Sequence, residues 1–107
     1  MKRGDIVVAA AGGDYGKPRP YVVVQGDDLH LIGSVLLCPI TTDVQGALFR
    51  VEIAQGPATG LRSASEIMVE KIQAVKRERI RQTIGQLDAD AMLRVDDKLA
   101  LVLGLRG

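Results

Sequence analysis

Short apolar runs rich in valine and isoleucine recur between Ile6 and Ile84, and glycine, proline or polar residues break each before it reaches helix length. That punctuation dictates a mostly β chain. Residues 6–11 form one run, ended by Gly12-Gly13, and Tyr21-Val22-Val23-Val24-Gln25 forms a second, ended by a turn at Gly26-Asp27-Asp28. Ser34-Val35-Leu36-Leu37-Cys38 predicts a third strand that stops at Pro39. Phe49-Arg50-Val51-Glu52-Ile53 alternates apolar and charged residues, the period of a strand with one wet face. Residues 66–72 predict a fifth strand continuing towards Val75, residues 76–79 a turn or one helical turn, and residues 81–87 a shorter, weaker strand. Residues 12–20 and 54–60, rich in Gly and Pro, read as loops.

Only the C-terminal segment changes period. Met92, Val95, Leu99 and Leu103 recur at helical spacing, widened by Ala100 and Val102, with Arg94, Asp96, Asp97 and Lys98 on the other side. Asp88 suits the N-cap, Asp90 the first turn and Gly104 the stop. Several short strands followed by one amphipathic helix predict a small, strongly bent sheet or open β-barrel with the helix packed against it.

The 107 residues are 47% hydrophobic and 25% charged, which predicts a single domain over residues 1–107 with one modest core. Aromatics are only 3%, so the core must be aliphatic. A single Cys excludes an internal disulfide, and one His with one Cys excludes a structural zinc site, which together favour a reducing compartment. The net charge of +1 hides an uneven distribution: Lys71, Lys76, Arg77, Arg79 and Arg81 are opposed only by Glu78, whereas Asp88, Asp90, Asp96 and Asp97 outnumber Arg94 and Lys98. The Met1-Lys2-Arg3 start is interrupted by Gly4 and Asp5 before any long apolar run, and no stretch spans a bilayer, so a soluble cytoplasmic domain is expected.

Common catalytic constellations are missing. His30 has no Ser or Cys partner in a recognisable motif, Cys38 sits in an apolar strand, and the Asp27-Asp28 and Asp96-Asp97 pairs point apart. Residues 12–16 lack the spacing of a phosphate-binding fingerprint. Three features remain. Lys17-Pro18-Arg19-Pro20 holds an arginine between two prolines, which fixes its backbone direction. Pro39-Ile40-Thr41-Thr42-Asp43 gathers two hydroxyls and a carboxylate, and Glu70-Lys71 leads into the basic stripe. Each also has an ordinary use, in a turn or on a solvated face.

These three features occur in the order of one family. Over essentially its whole length the chain resembles the MazF/PemK toxins of bacterial toxin–antitoxin pairs. Lys2-Arg3-Gly4-Asp5-Ile6-Val7 is similar to their strand opening, and Arg19-Pro20 opens the Val-rich second strand. Gln25-Gly26-Asp27 stands where members commonly carry Gln-Asn-Asp. Pro39-Ile40-Thr41 ends the third strand, and Gly60-Leu61 and Ser65 lead into the strand bearing Glu70. The chain departs from the pattern on that strand, where Lys71-Ile72-Gln73-Ala74 replaces Gln-Ile-Arg-Thr and Met68 replaces an arginine of some members.

The resemblance implies an SH3-like barrel with a C-terminal helix and a sequence-specific, metal-independent endoribonuclease without cofactors. Single-stranded RNA would be cut by its own 2′-OH, leaving 2′,3′-cyclic phosphate and 5′-OH ends. By position, Arg19 matches an essential arginine, Thr41 an essential threonine, Asp14 a loop acid and Glu70 a strand acid. Glu70 or Asp14 would take the proton, with partial burial drawing the carboxyl towards neutrality. Lys17, Tyr15, Thr42, Arg50, Ser65 and Lys71 complete the implied RNA contacts, and members of the 76–81 stripe add charge. A second copy of the chain and an antitoxin with an acidic, partly disordered tail are the implied partners, with DNA reached only through the antitoxin and no membrane. Two other readings share the fold. A CcdB-type gyrase inhibitor requires a Trp-Gly-Ile ending, but this chain has no Trp and closes on Leu103-Gly104-Leu105-Arg106-Gly107. An inactive SH3-like binding module would be indifferent to Arg19 and Thr41.

Overall fold

A computed structural model describes residues 1–11, 17–29 and 33–105. Strands β1 (Asp5–Ala9), β2 (Arg19–Val23), β3 (Ser34–Thr41), β4 (Val51–Ile53), β5 (Ser65–Ile67), β6 (Gln73–Lys76) and β7 (Ile80–Gln86) precede one helix, α1 (Ala89–Val102). They form one seven-stranded antiparallel sheet in the order β4-β5-β3-β2-β1-β7, with β6 also on β3. The sheet curls into a half-barrel, the small β-barrel-with-helix architecture expected. No helix among the described residues is long and apolar enough to cross a membrane.

β3 organises the sheet. One edge pairs with β2, and the other is shared by β6, opposite residues 34–37, and β5, opposite Ile40 and Thr41. Pro39 therefore does not stop the strand; it lies inside it, opposite Tyr21. A residue's N–H and C=O point to the same edge of an antiparallel strand, and the Pro39 carbonyl accepts from Met68 N at 2.8 Å on the shared edge. The missing donor falls where one partner gives way to the other, so no ladder bond is lost.

The expected fifth strand is likewise interrupted. Ile67 stands opposite Ile40 and Gln73 opposite Leu37, so the chain has slipped by the three residues of a 3-10 turn, Val69–Lys71. Periodicity alone did not reveal this bulge, because its apolar residues continue the strand pattern. Elsewhere the differences are at ends: β1 closes at Ala9, β2 spans 19–23 rather than 21–25, and β4 starts at Val51 after a turn that Arg50 N closes on Ala47 O. The turn at residues 77–79 is a single 3-10 turn, as read. β7 is a full strand of seven residues along β1, with two register shifts. Its polar Arg81-Gln82-Thr83 face is exposed, which hid it from a hydrophobic count.

Apolar side chains divide by strand alternation between the two faces of the sheet. Ile6, Val22, Cys38, Ile40, Val51, Ile67 and Val69 pack with Ala91 and Val95 of α1, while Val7, Ala9, Tyr21, Val23, Val35, Leu37 and Val75 fill the other side. The helix begins as read: the Asp88 carboxylate accepts from Ala91 N at 2.8 Å, and Gly104 adopts φ 70° beyond its end.

The loop before β5 crosses β7 with no room for a side chain. A Cβ at Gly85 would sit 2.3 Å from the Thr59 carbonyl carbon, and Gln86 N donates to Ala58 O at 3.0 Å. Gly85→Ala must push two backbones apart and is expected to cost about 2 kcal/mol. Thermal unfolding should then shift down by about 10 °C.

Candidate functional site

The rim where β2 begins and β3 ends carries two of the residues singled out from the sequence, Arg19 and Thr41. Tyr21, Val22 and Val23 stand opposite Pro39, Cys38 and Leu37. Arg19, the first residue of β2, and Thr41, the last of β3, each lie two residues beyond the Tyr21–Pro39 pair, at the same end of the two strands. Residues two apart in a strand share a face, so Arg19 lies on the face of Tyr21 and Thr41 on that of Pro39, and an arginine fork and a hydroxyl at this end can address one phosphate. Pro18 and Pro20 hold Arg19 extended at this exposed edge. The Thr41 Oγ1 accepts from Asp43 N at 3.0 Å, which leaves its O–H to donate. Across β1, Ala9 stands opposite both Arg19 and Ile80, so Arg81, and Arg79 bonded to Ala10 O, begin β7 two strands away.

Glu70 rides on the 3-10 bulge and meets Arg50. The Arg50 guanidinium donates through Nη2 to Glu70 Oε2 at 2.6 Å and through Nε to both Glu70 oxygens, while Nη1 donates to Glu66 Oε1 at 3.2 Å. Its side chain is only 12% exposed, with the guanidinium carbon 5.9 Å from the Phe49 ring centre. This pairing commits one donor on each nitrogen of Arg50, the expected RNA contact, to two carboxylates. It also reverses the expected ionisation of Glu70. Burial favours the neutral acid, but the Arg50 hydrogen bonds outweigh it and hold Glu70 below the ordinary carboxylate value.

Glu66 had no place among the residues named from sequence. It is completely buried, opposed by the Gly46 and Gln45 N–H groups at 2.9 and 3.3 Å and by Arg50. Burial opposes its charge, yet these donors keep its pKa low. The only sequence signal was a charged residue next to the apolar run Ile67-Met68-Val69.

Other sequence-named residues are scattered. Lys17, Thr42 and Lys71 are exposed. Ser65, expected as an RNA contact, is buried and donates to Ser63 O at 2.9 Å. Asp14, Tyr15 and His30 lie outside the described residues. Cys38 is buried in the core, where desolvation and then the nearby Glu70 charge push its thiol up to about 12, which removes it as a nucleophile. Among the described residues no group of three or more His, Cys, Asp or Glu side chains is arranged to hold a metal. An open groove between the 52–59 segment and the start of α1 includes none of the named residues.

Comparison with known proteins fits this geometry. The family model described as PemK-like, MazF-like toxin of type II toxin–antitoxin system matches residues 2–103. The chain belongs to that family. It is 41% identical over 109 residues to a probable endoribonuclease MazF of Mycolicibacterium smegmatis, covering 100% of both chains. It is 30% identical to endoribonuclease EndoA of Bacillus subtilis, covering 98% of this chain and 96% of the relative. A solved endoribonuclease in complex with its cognate antitoxin, from a mycobacterial species, superposes with a TM-score of 0.83 at 18% identity, covering 100% of this chain and 98% of that one. Within this toxin family the fold therefore persists where sequence identity is low.

Glu66 and Glu70 both sit below the ordinary glutamate value of 4.5, so their stabilisation is complete above it and is lost as pH falls through the lowered values. Urea unfolding compared between about pH 6 and pH 3.5 should show a smaller fall in stability for Glu66→Gln than for the parent chain, since the variant has one fewer such group to protonate.

Proposed function

We propose that this chain is a toxin endoribonuclease that cuts single-stranded RNA in the cytoplasm by a metal-independent, sequence-specific transesterification. Family membership supports the class of activity, and the observation that supports the mechanism is that Arg19 begins β2 and Thr41 ends β3 at the same end of that strand pair. RNA supplies its own nucleophile, so the protein has three tasks: remove the 2′-OH proton, stabilise charge on the phosphorane and help the 5′-oxygen leave.

Arg19 grips the scissile phosphate with its planar fork and stabilises the charge that grows on the non-bridging oxygens. Its own proton is not available for transfer, because a guanidinium pKa exceeds 12. Thr41 donates its O–H to a phosphate oxygen, in the orientation its bond to Asp43 N leaves open. Glu70 accepts the 2′-OH proton. A carboxylate held ionised by Arg50 is a weaker base than one near neutrality, but it is in the active form at any pH above its lowered value. Asp14 is the second acid of the site. The 2′-oxygen bonds to phosphorus as the P–O5′ bond breaks, and the departing 5′-oxygen takes a proton from solvent water, giving 2′,3′-cyclic phosphate and 5′-OH ends.

Lys17, Thr42, Lys71, Arg79 and Arg81 line the path of the flanking phosphates, and Tyr15 stacks on a base. A homodimer extends the groove. The inhibitor is an antitoxin whose acidic, flexible tail occupies the same basic rim, a reading supported by the antitoxin-bound relative. Contact with DNA comes only through that antitoxin.

Purified protein is expected to cut single-stranded RNA in excess EDTA, and mass spectrometry should find cyclic phosphate ends. Arg19→Ala should lower kcat by at least about 100-fold, while Arg19→Lys recovers part of it. Undiminished cutting by a folded Arg19→Ala protein would refute the mechanism.

A further inference from the structure

Glu66 is a charged group inside a folded chain, on the face of the sheet that does not meet the helix. Ile67, its neighbour, points into the core beneath α1, so Glu66 points the other way, directly opposite Thr41 across the β3–β5 pair. It is nevertheless fully buried, and the groups that meet it come from two other segments. One oxygen takes the Gln45 N–H and the Arg50 Nη1, the other takes the Gly46 N–H. Gly46 has φ 70°, the left-handed geometry that turns its amide inward. Arg50 in turn donates through Nε and Nη2 to Glu70.

One carboxylate thus links three parts of the rim. Thr41 at the end of β3 runs into the 42–48 loop, which Glu66 holds by two amides. Arg50 closes the far end of that loop, and Glu70 sits on the bulge that Arg50 grips. Val44, Leu48 and Phe49 on the loop are exposed, at 42%, 74% and 37%.

We propose that Glu66 is a positioning residue for RNA cleavage: it fixes Arg50, and through it Glu70, while locking the 42–48 loop to the strand that carries Thr41. The proposal rests on the reading of Thr41 and Glu70 as groups that touch RNA. Glu66 itself is sealed from substrate and acts only through its neighbours. A displacement of about 1 Å in a reacting group can cost about 100-fold in rate, so loosening this frame must be felt in the chemical step more than in binding.

The test is a cycle of Glu66→Gln and Glu70→Gln, alone and together, in full-length protein with a short single-stranded RNA. Circular dichroism and thermal melts establish that each variant folds. Glu66→Gln is expected to lower kcat about tenfold with KM changed less than about twofold. In the Glu70→Gln background it should have little further effect, since the group it positions is gone. Amide hydrogen exchange at Gln45 and Gly46 should rise in Glu66→Gln but not in Glu70→Gln. If Glu66→Gln fails to fold, Arg50→Lys interrogates the same link from its other side, because it keeps the charge and loses the fork.

A normal kcat in folded Glu66→Gln, with Glu70→Gln impaired, overturns the positioning role and leaves the Glu70 reading standing. An equal loss in both backgrounds also overturns it, as the mark of a general structural effect. A normal kcat in Glu70→Gln overturns the reading of Glu70 and the route through it.

Discussion

Along one edge of β3 the chain must satisfy hydrogen bonds with two segments, β5 and β6, whose registers differ by the three residues of the Val69–Lys71 turn. A backbone that left those groups unpaired beside a core would be destabilised strongly. The sheet accommodates the slip by expelling one 3-10 turn at the junction, where Pro39 has no donor to lose and Met68 N finds the Pro39 carbonyl. That expelled turn carries Glu70. The acid of the candidate site therefore stands off the sheet as a consequence of strand pairing, at the end of β3 that also bears Thr41.

The charges around Glu70 form a closed set. Burying a carboxylate alone is costly, and a buried ion pair is stabilising only when hydrogen bonds also satisfy the remaining lone pairs. Glu66 meets that condition with two backbone amides and an arginine, and among the described residues no buried side-chain polar atom lacks a partner. The arrangement fixes ionisation as well as position. Arg50 opposes the effect of burial at both glutamates and keeps each in its charged form. Arg19 is exposed at the start of β2, where Pro18 and Pro20 flank it.

Local signals in the sequence carried well. The Asp88 cap, the apolar stripe of α1, the Gly104 stop and the Val-rich β2 all follow from residues close together in the chain. Arg19-Pro20 and Pro39-Ile40-Thr41 were legible for the same reason, as was the family they indicate. Where reading failed, a distant partner decided. Pro39 is tolerated within β3 because β5 and β6 divide that edge, and β7 persists in spite of its polar face because β1 supplies its ladder.

The amino-acid pattern alone thus determined that a second strand and a C-terminal helix form and that the core is aliphatic, since each depends on periodicity or on the dihedral preferences of adjacent residues. Tertiary structure alone decided that Arg50 belongs to two glutamates rather than to solvent, that Glu66 is buried, and that Glu70 is held ionised. Those properties arise from electric fields and desolvation, which depend on distances in space, and the groups responsible lie some 16 to 21 residues apart in the chain.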